Sequence, residues 1–315
     1  MQAVVEINGL TKDYEVGFWR KRKVRALENL TLKVHEGEIF GFLGANGAGK
    51  TTTLKLLMRL TFPTAGNARI LGRDISDIAM HSAIGYLPEN PYFYDYLTPR
   101  EFLDYCGKIF GYDKTKRADQ TKALLKKVKL DERNWNVQLR KCSKGMLQRV
   151  GLAQALMNDP KVIFLDEPMS GLDPIGRRQV RDLIASLRQE GKTVFMCSHI
   201  LSDIEVLCDR VAIMKKGRLA QIGHLDQLRQ RDEDKNRIEV WTTGAQESSL
   251  RQALPDVAFA ASARGLRLEI SSESEIDHVL CALRKAGGKV VSVQPIQQSL
   301  EELFLDPPEG ANEVR

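Results

Sequence analysis

Short apolar runs alternate with helical patterns along roughly the first 224 residues. The apolar runs predict strands at Ala3–Ile7, Glu38–Leu43, Ile84–Leu87, Val162–Leu165, Thr193–Cys197 and Val211–Met214. The segments between them predict helices at Thr51–Leu60, Arg100–Phe110, Lys116–Val128, Ser143–Asn158, Gly176–Gln189 and Ile200–Leu207. Strands that alternate with helices are typical of a largely parallel, doubly wound sheet. We therefore predict an α/β domain over residues 1–224.

The pattern changes after about Leu225. A highly charged stretch predicts a linker over residues 225–237, followed by an accessory domain over 238–306 and a short tail at 307–315. The accessory elements are predicted at Ile238–Thr242 (strand), Gln246–Ala253 (helix), Val257–Ala260 (strand), Leu266–Ile270 (strand), Glu275–Ala286 (helix) and Lys289–Val293 (strand). The order β-α-β-β-α-β indicates a small α+β, ferredoxin-like domain. A last amphipathic segment, Ser299–Leu305, is expected to pack against it.

Length and composition limit the number of domains and the cellular compartment, but they do not indicate a function. The 315 residues predict about two domains. No stretch approaches the ~18 consecutive apolar residues of a membrane-spanning helix, and the first residues lack the layout of a secretion signal. We therefore expect a cytoplasmic protein, whose role at a membrane would need another polypeptide. Five scattered cysteines without CxxC spacing argue against a disulfide framework and a zinc site.

The net charge of +6 is unevenly distributed. Residues 225–315 carry 11 Lys and Arg against 16 Asp and Glu, whereas residues 1–224 carry 36 against 25. A basic front portion suits phosphate ligands or an anionic lipid surface. It suits nucleic acid equally, so the charge alone does not choose among them.

A glycine-rich loop carries the clearest chemistry. The sequence Gly44-Ala-Asn-Gly-Ala-Gly-Lys50-Thr51 matches GxxxxGK[ST] and stands between a predicted strand and a predicted helix. Glycines let backbone N–H groups approach a phosphate, Lys50 reaches the β and γ phosphates, and the Thr51 hydroxyl ligates Mg²⁺. The predicted nucleotide-binding residues of this loop are Gly44, Asn46, Gly47, Ala48, Gly49, Lys50, Thr51 and Thr52.

Two adjacent carboxylates follow a second apolar strand. Val162–Leu165 leads directly into Asp166 and Glu167. Asp166 falls at the carboxyl end of the strand, where open α/β sheets bind ligands. We expect Asp166 to contribute to the Mg²⁺ shell, and Glu167 to orient and polarise the attacking water.

With these motifs in this order, residues 3–224 resemble the nucleotide-binding subunit of the ABC transporter family, in particular the exporter subclass whose ATPase and permease are separate chains. The resemblance implies ATP and Mg²⁺ as ligands and Lys50, Glu167 and His199 as catalytic residues. Further residues match family positions. Tyr14 matches the aromatic residue that stacks on adenine, and Glu89 matches the coupling-loop residue near Mg²⁺ and the nucleotide. Ser143 and Gly145 match the signature residues that contact the γ-phosphate, Asp173 lies in the loop after the second carboxylate, and Gln298–Phe304 resembles the C-terminal segment of the subclass.

The sequence departs from the family pattern at two places. Glu89 replaces the usual glutamine, so it can ligate Mg²⁺ but cannot donate as an amide does. The signature LSGGQ reads Cys142-Ser-Lys-Gly-Met146. Because Cys142 stands at the start of a predicted helix, we expect a lowered thiol pKa, whereas the other four cysteines fall in apolar patterns and are expected to be buried. The basic segment Gly17–Arg25 is expected to be a solvated loop near the nucleotide.

The resemblance also implies partners. One chain has one phosphate loop and one signature, so two subunits, as a homodimer, should meet head to tail with two ATP molecules in the interface. A helical subdomain is expected at about 91–158. The cleft between its segment Pro91–Asp131 and the sheet would receive a helix of a transmembrane permease, at the cytoplasmic face of the membrane. No nucleic acid is expected.

Two other classes compete with this interpretation. An ABC-type ATPase that acts on ribosomes or nucleic acid usually carries two ATPase domains or a coiled-coil insertion, and the ~54 residues between Glu89 and Ser143 leave no room for the latter. A GTPase or kinase that shares only the phosphate loop is discounted, because no Asn-Lys-x-Asp guanine motif occurs.

Overall fold

The central feature of this computed structural model is a six-stranded sheet from which the glycine-rich loop emerges. The residues described are 2–17, 21–229, 238–245, 247–255, 257–262 and 265–295. Contacts divide the chain into two units, Met1–Leu225 and Asp226–Arg315. The strands of the first unit are β1 (Ala3–Val16), β2 (Arg22–His35), β3 (Ile39–Gly44), β4 (Ala65–Ile70), β5 (Arg73–Asp74), β6 (Ile84–Leu87), β7 (Val162–Asp166), β8 (Thr193–Ser198), β9 (Arg210–Lys215) and β10 (Arg218–His224).

Helices cover the sheets and build a separate helical segment. Those that begin in the first unit are α1 (Lys50–Leu57), α2 (Pro99–Ile109), α3 (Lys114–Lys127), α4 (Lys144–Ala155), α5 (Pro174–Gln189), α6 (Leu201–Leu207) and α7 (Leu225–Arg229). Short 3-10 helices span Ile78–Ala83, Glu132–Asn134 and Leu139–Lys141. None of the helices within the described ranges has the length and apolarity to cross a membrane.

The central sheet has the strand order β10-β9-β3-β8-β7-β6. All of its pairs are parallel except β9 with β10. The side chains of Phe40, Phe42 and Phe164 surround Phe195, with ring centroids 5.2–5.6 Å apart, and all four are fully buried. Burial on both faces explains the near-continuous apolar runs of these strands.

Parallel register brings chemically important residues to one edge of this sheet. Leu43 pairs with Ser198 in β8, and Asp166 pairs with Cys197. The ends of β3, β7 and β8 therefore coincide, so the residues that follow Leu43, Asp166 and Ser198 emerge side by side.

A second sheet, of order β2-β1-β4-β5, is entirely antiparallel and was missed from the sequence. β1 extends to Val16 instead of ending at Ile7, and Arg22–Arg25, expected in a loop, begin β2. The hydrophobic alternation is hidden there because Arg22–Arg25 are all exposed and β1 contains register shifts. Phe18, Trp19 and Arg20 lie outside the described residues.

The first and the last helix of the helical segment, α2 and α4, both begin at side-chain caps. Thr98 and Glu101 form a reciprocal capping box at the start of α2. Ser143 caps α4, accepting a hydrogen bond from the Met146 N–H at 3.3 Å. α4 therefore begins one residue later, and ends three residues earlier, than the hydrophobic pattern predicts.

The second unit contains a four-stranded antiparallel sheet and two helices. Its elements are β11 (Ile238–Thr243), α8 (Glu247–Ala253), β12 (Ala258–Ser262), β13 (Gly265–Ile270), a 3-10 turn (Glu273–Glu275), α9 (Ile276–Lys285) and β14 (Lys289–Pro295), with strand order β12-β13-β11-β14. Its core is formed by Val240, Leu250, Leu254, Leu268, Ile270, Val279 and Leu283. Within the expected linker, Leu225–Arg229 is helical. Residues 230–237, the predicted segment Ser299–Leu305 and the family-like Gln298–Phe304 lie outside the described residues.

Candidate functional site

The glycine-rich loop joins β3 to α1 in a conformation that only small residues permit. Gly49 is the N-cap of α1, with φ +103°, and an added Cβ there would lie 2.8 Å from the carbonyl oxygen of Ala26. Gly47 also has a positive φ of +82°. At Gly44 a Cβ would lie 2.8 Å from the Met214 carbonyl oxygen. Two strands therefore press against the loop and fix its curvature around the space in front of α1.

Lys50 lies inside this curve with only 6% of its surface exposed. Its ammonium group donates hydrogen bonds to the carbonyl oxygens of Gly44 at 2.6 Å and Ala45 at 3.4 Å. It also lies 3.6 Å from Oε1 of Glu167. A buried ammonium held by loop carbonyls and one carboxylate is positioned to exchange these partners for phosphate oxygens.

A pocket of about 430 Å³ opens in front of the loop. It is lined by Ala26, Asn46, Gly47, Gly49, Lys50, Thr51, Thr52, Glu89 and Glu167. The structure thus brings Glu89 and Glu167, which are distant in sequence, to the phosphate loop. Gly44 and Ala48 are not among the residues that line this pocket.

Asp166 is the most unusual carboxylate of this region. It is 1% exposed, and neither of its oxygens has a hydrogen-bond partner among the described residues. Burial raises the pKa of Asp166 to about 6. The nearby Thr51 hydroxyl and the positive charge of Lys50 lower this pKa, whereas the negative charges of Glu167 and Glu89 raise it further. A buried carboxylate without donors, beside a hydroxyl, offers oxygen ligands of the kind that Mg²⁺ prefers. Asp166 and Thr51 therefore fit a bound Mg²⁺.

Glu167 is held between two basic groups. Its Oε2 lies 2.9 Å from Nδ1 of His199, and its Oε1 faces Lys50 without a hydrogen bond. Its backbone N–H donates to the Cys197 carbonyl at 3.1 Å. Glu167 also has a left-handed backbone, with φ +50°, which costs a non-glycine residue about 1–3 kcal/mol. The strained turn directs a 6%-exposed carboxylate into the pocket.

The signature residues lie on a different surface. Ser143, Gly145 and Asp173 line a second pocket of about 550 Å³, together with Lys129, Leu130, Asp131, Asn134, Lys144, Met146, Arg149, Gly171 and Leu172. Asp173 accepts a hydrogen bond from the Gly176 N–H at 2.9 Å and so caps α5. The two pockets share no lining residue. One chain therefore does not bring its own signature to its own phosphate loop.

Tyr14 is not among the residues that line the loop pocket. It pairs with Val24 in the hairpin of β1 and β2, and Lys12 Nζ lies 4.9 Å from its ring centroid. Ala26, which the sequence analysis did not single out, lines the pocket instead. The Ala26 carbonyl oxygen packs against Gly49, and no motif of side chains in the sequence indicates such a backbone contact.

The prediction for Cys142 was wrong. Burial raises the pKa of this thiol instead of lowering it, and Sγ lies 3.6 Å from the Gln138 carbonyl oxygen. Cys142 precedes the capping residue Ser143, so it does not receive the first N–H groups of α4. The expectation that Cys281 is buried was also wrong, since it is exposed on α9, whereas Cys106, Cys197 and Cys208 are buried as expected.

Comparisons with known proteins agree with this arrangement. A family model described as "ABC transporter" matches residues 27–170. An uncharacterized ABC transporter ATP-binding protein of Synechocystis is 44% identical over 96% of this chain and 84% of its own length. The bacitracin transport ATP-binding protein BcrA of Bacillus licheniformis is 39% identical over 74% of this chain and 73% of its own length. A solved dimeric ATP-binding cassette, in a post-hydrolysis state bound to ADP and Pi, superposes with a TM-score of 0.65 and 28% identity, covering 70% of this chain and 98% of that one.

Proposed function

The chain belongs to the ATP-binding proteins of the ABC transporter family, and from this premise we propose that it is the motor subunit of an exporter that drives a separate permease. Members of this family bind and hydrolyse ATP. Export is supported by the similarity to a bacitracin transport ATP-binding protein. The transported compound depends on the permease, where selectivity resides.

The pocket supports a specific division of labour in hydrolysis. Backbone N–H groups of the loop and the Lys50 ammonium hold the β and γ phosphates. Glu167 accepts a hydrogen bond from the attacking water and takes its proton as the water oxygen bonds to phosphorus and the bond to the ADP oxygen breaks. His199 positions Glu167 through the 2.9 Å contact. Thr51 and Asp166, with Glu89 nearby, would hold Mg²⁺, which would neutralise part of the phosphate charge.

The separation of the two pockets supports head-to-tail dimerisation. The phosphate loop and the signature are both present in this chain, but they line separate pockets. If Ser143 and Gly145 contact γ-phosphate, as the family resemblance implies, the phosphate must be bound by a second subunit. A solved cassette of similar fold is dimeric. Two copies related by a two-fold axis would complete two equivalent sites.

An exposed aromatic surface supports the docking of a permease. Tyr92, Tyr96 and Ile109 are 88%, 61% and 66% exposed, and Tyr94, Tyr105 and Phe110 are exposed as well. The ring centroids of Tyr94 and Tyr96 are 6.1 Å apart. The ring centroids of Tyr94 and Tyr105 are 5.7 Å apart. A cluster of exposed large apolar groups is typical of a protein interface. This aromatic surface lies within the helical segment that was predicted to receive the permease.

The hydrolytic role of Glu167 is tested by Glu167→Gln, which keeps the shape and removes the base. We expect turnover to fall by about 10²–10⁴-fold while ATP binding survives. Glu190→Gln is the matched control, because Glu190 is a carboxylate paired with Lys127 on the surface and should leave turnover unchanged. Turnover of Glu167→Gln within a few-fold of the unmodified protein would contradict the assignment.

The permease is tested by purification of the tagged chain from its native membrane. A hydrophobic membrane protein should co-purify, and Ile109→Asp with Phe110→Asp should release it without lowering ATP binding. RNA or ribosomal proteins in place of a membrane protein would favour the competing class of ABC-type ATPases. Unchanged retention of the membrane protein by the double variant would place its contact elsewhere.

A further inference from the structure

Gln148 is a polar side chain buried within α4. It is 3% exposed, and its amide nitrogen Nε2 donates a hydrogen bond to the carbonyl oxygen of Pro168 at 2.9 Å. The other buried residues of this helix are Val150, Gly151, Leu152, Ala153 and Ala155. Packing alone would favour an apolar side chain among them, because a buried amide loses its contacts with water. The hydrogen bond to Pro168 is therefore what the amide adds at this position.

Pro168 directly follows Glu167 in the turn after β7. Glu167 has φ +50°, a conformation that a non-glycine residue keeps only where its surroundings hold it. On one side of the turn, the Glu167 N–H donates to the carbonyl oxygen of Cys197 in β8 at 3.1 Å. On the other side lies Pro168, which is buried and has no N–H, so its carbonyl oxygen is the backbone group that can be held. The turn is thus fixed by β8 before Glu167 and by Gln148 after it.

α4 contacts the same loop at a further point. An added Cβ at Gly145 would lie 3.4 Å from Cδ2 of Leu172, four residues after Pro168. The first turns of α4 therefore lie along the loop that follows the catalytic carboxylate. Of these two contacts, that of Gln148 is directional, and it falls on the residue next to Glu167.

We propose that Gln148 is a positioning residue for hydrolysis, whose amide holds the Pro168 carbonyl and so fixes the turn that directs the Glu167 carboxylate at the attacking water. The inference rests on the proposed role of Glu167 as the base, and it adds a residue of the helical segment to that site. Gln148 does not line the loop pocket. Its effect on the water therefore passes through Glu167, and ATP binding does not depend on it.

The test measures ATP turnover and ATP affinity of the full chain with Gln148→Met, which nearly keeps the length of the side chain and removes its N–H donor. Gln148→Asn is a second variant, whose amide falls about 1.5 Å short of the Pro168 carbonyl, and it decides the matter if the first does not fold. Gln120→Met is the matched control. Gln120 is another glutamine of the helical segment, and its Nε2 donates to the Met157 carbonyl at 3.4 Å, but it lines neither pocket. Thermal unfolding verifies that each variant is folded.

We expect Gln148→Met to lower kcat by about tenfold while the dissociation constant of ATP stays within about twofold, because a misdirected base slows the reaction without weakening the hold on phosphate. Gln148→Asn should change kcat in the same direction, and Gln120→Met should behave like the unmodified protein.

The decisive comparison adds Gln148→Met to Glu167→Gln and measures phosphate release in a single turnover. If Gln148 acts through the Glu167 carboxylate, the residual rate of Glu167→Gln should not fall further. A general loss of structure would instead lower the rate by the same factor with and without that carboxylate.

The outcomes separate this inference from the proposed role of Glu167. If Glu167→Gln keeps turnover within a few-fold of the unmodified protein, the role of Glu167 is overturned and that of Gln148 with it. If Glu167→Gln is nearly inactive but the Gln148 variants turn over like Gln120→Met, the inference alone is overturned. Equal losses with and without the Glu167 carboxylate, a loss of ATP affinity as large as the loss of turnover, or unfolding of both Gln148 variants would assign Gln148 a purely structural role and would also overturn it.

Discussion

Replacing Asp166 with asparagine should stabilise the nucleotide-free protein while destroying its response to Mg²⁺. Asp166 is 1% exposed, and burial raises its pKa from the ordinary 3.8 to about 6. A difference of one in pKa between the folded and unfolded chain corresponds to about 1.4 kcal/mol, so the ionised carboxylate costs the fold about 3 kcal/mol above pH 6. We expect Asp166→Asn to recover only about 1–2 kcal/mol, because an amide must also be desolvated and Lys50 loses a nearby counter-charge.

The stabilisation by Asp166→Asn should depend on pH in a defined direction. Between about pH 4 and pH 6 the folded protein retains a proton on Asp166 that the unfolded chain has lost. The stability contributed by the neutral acid is therefore lost as the pH rises through this window. The advantage of Asp166→Asn should be largest above pH 6 and should shrink towards pH 4.5.

The assay is thermal unfolding without nucleotide, in EDTA, at pH 7.5 and pH 4.5. For a unit of this size, 1–2 kcal/mol corresponds to an increase of about 2–8 °C in the midpoint. Asp182→Asn, an exposed carboxylate 3.8 Å from Lys129, is the control and should change little. Mg²⁺ with ATP should raise the midpoint of the unmodified protein above that with ATP and EDTA, but not that of Asp166→Asn. A variant less stable than the unmodified protein at pH 7.5, or one with an unchanged Mg²⁺ effect, would refute this reasoning.

Three further predictions concern binding and reactivity. Lys50→Ala should weaken ATP binding, because it removes the cation that faces the phosphates; an unchanged dissociation constant by calorimetry would contradict the assignment. Residues 1–224 alone should bind ATP about as tightly as the full chain, since every nucleotide motif precedes the second unit; a folded fragment that does not bind would show that the tail belongs to the site. Cys281, which is exposed, should react with a thiol reagent faster than Cys142, whose pKa burial raises, and mass-spectrometric site mapping that finds the reverse order would contradict the structure.

The features that the sequence predicts best are those formed by residues close together along the chain. The loop from Gly44 to Thr51 and the carboxylate pair after Leu165 follow from local motifs whose strands are fully buried, so their apolar runs are unmistakable. The antiparallel sheet was missed because β2 begins with four exposed residues and its pattern emerges only when it pairs with β1. The register shifts between β1 and its neighbours cannot be read from the pattern of any one strand.

Contacts between distant segments were only partly foreseeable. The family resemblance grouped Glu167, His199 and Lys50, but the left-handed turn at Glu167 and its position between two basic groups depend on the register of β7 against β8. Cys142 was misjudged because a difference of one residue in the start of α4 moves it outside the field of the helix.

The central claim is that each hydrolytic site combines the phosphate loop and Glu167 of one subunit with the signature of the other. The most direct test mixes two inactive variants, Glu167→Gln and Gly145→Asp, each purified separately, and measures phosphate release from ATP. In a mixed dimer one of the two sites has an intact Glu167 and an intact Gly145, so the mixture should hydrolyse ATP well above either variant alone. A mixture no more active than the average of its two components, although mixed dimers form, would contradict a site shared between subunits.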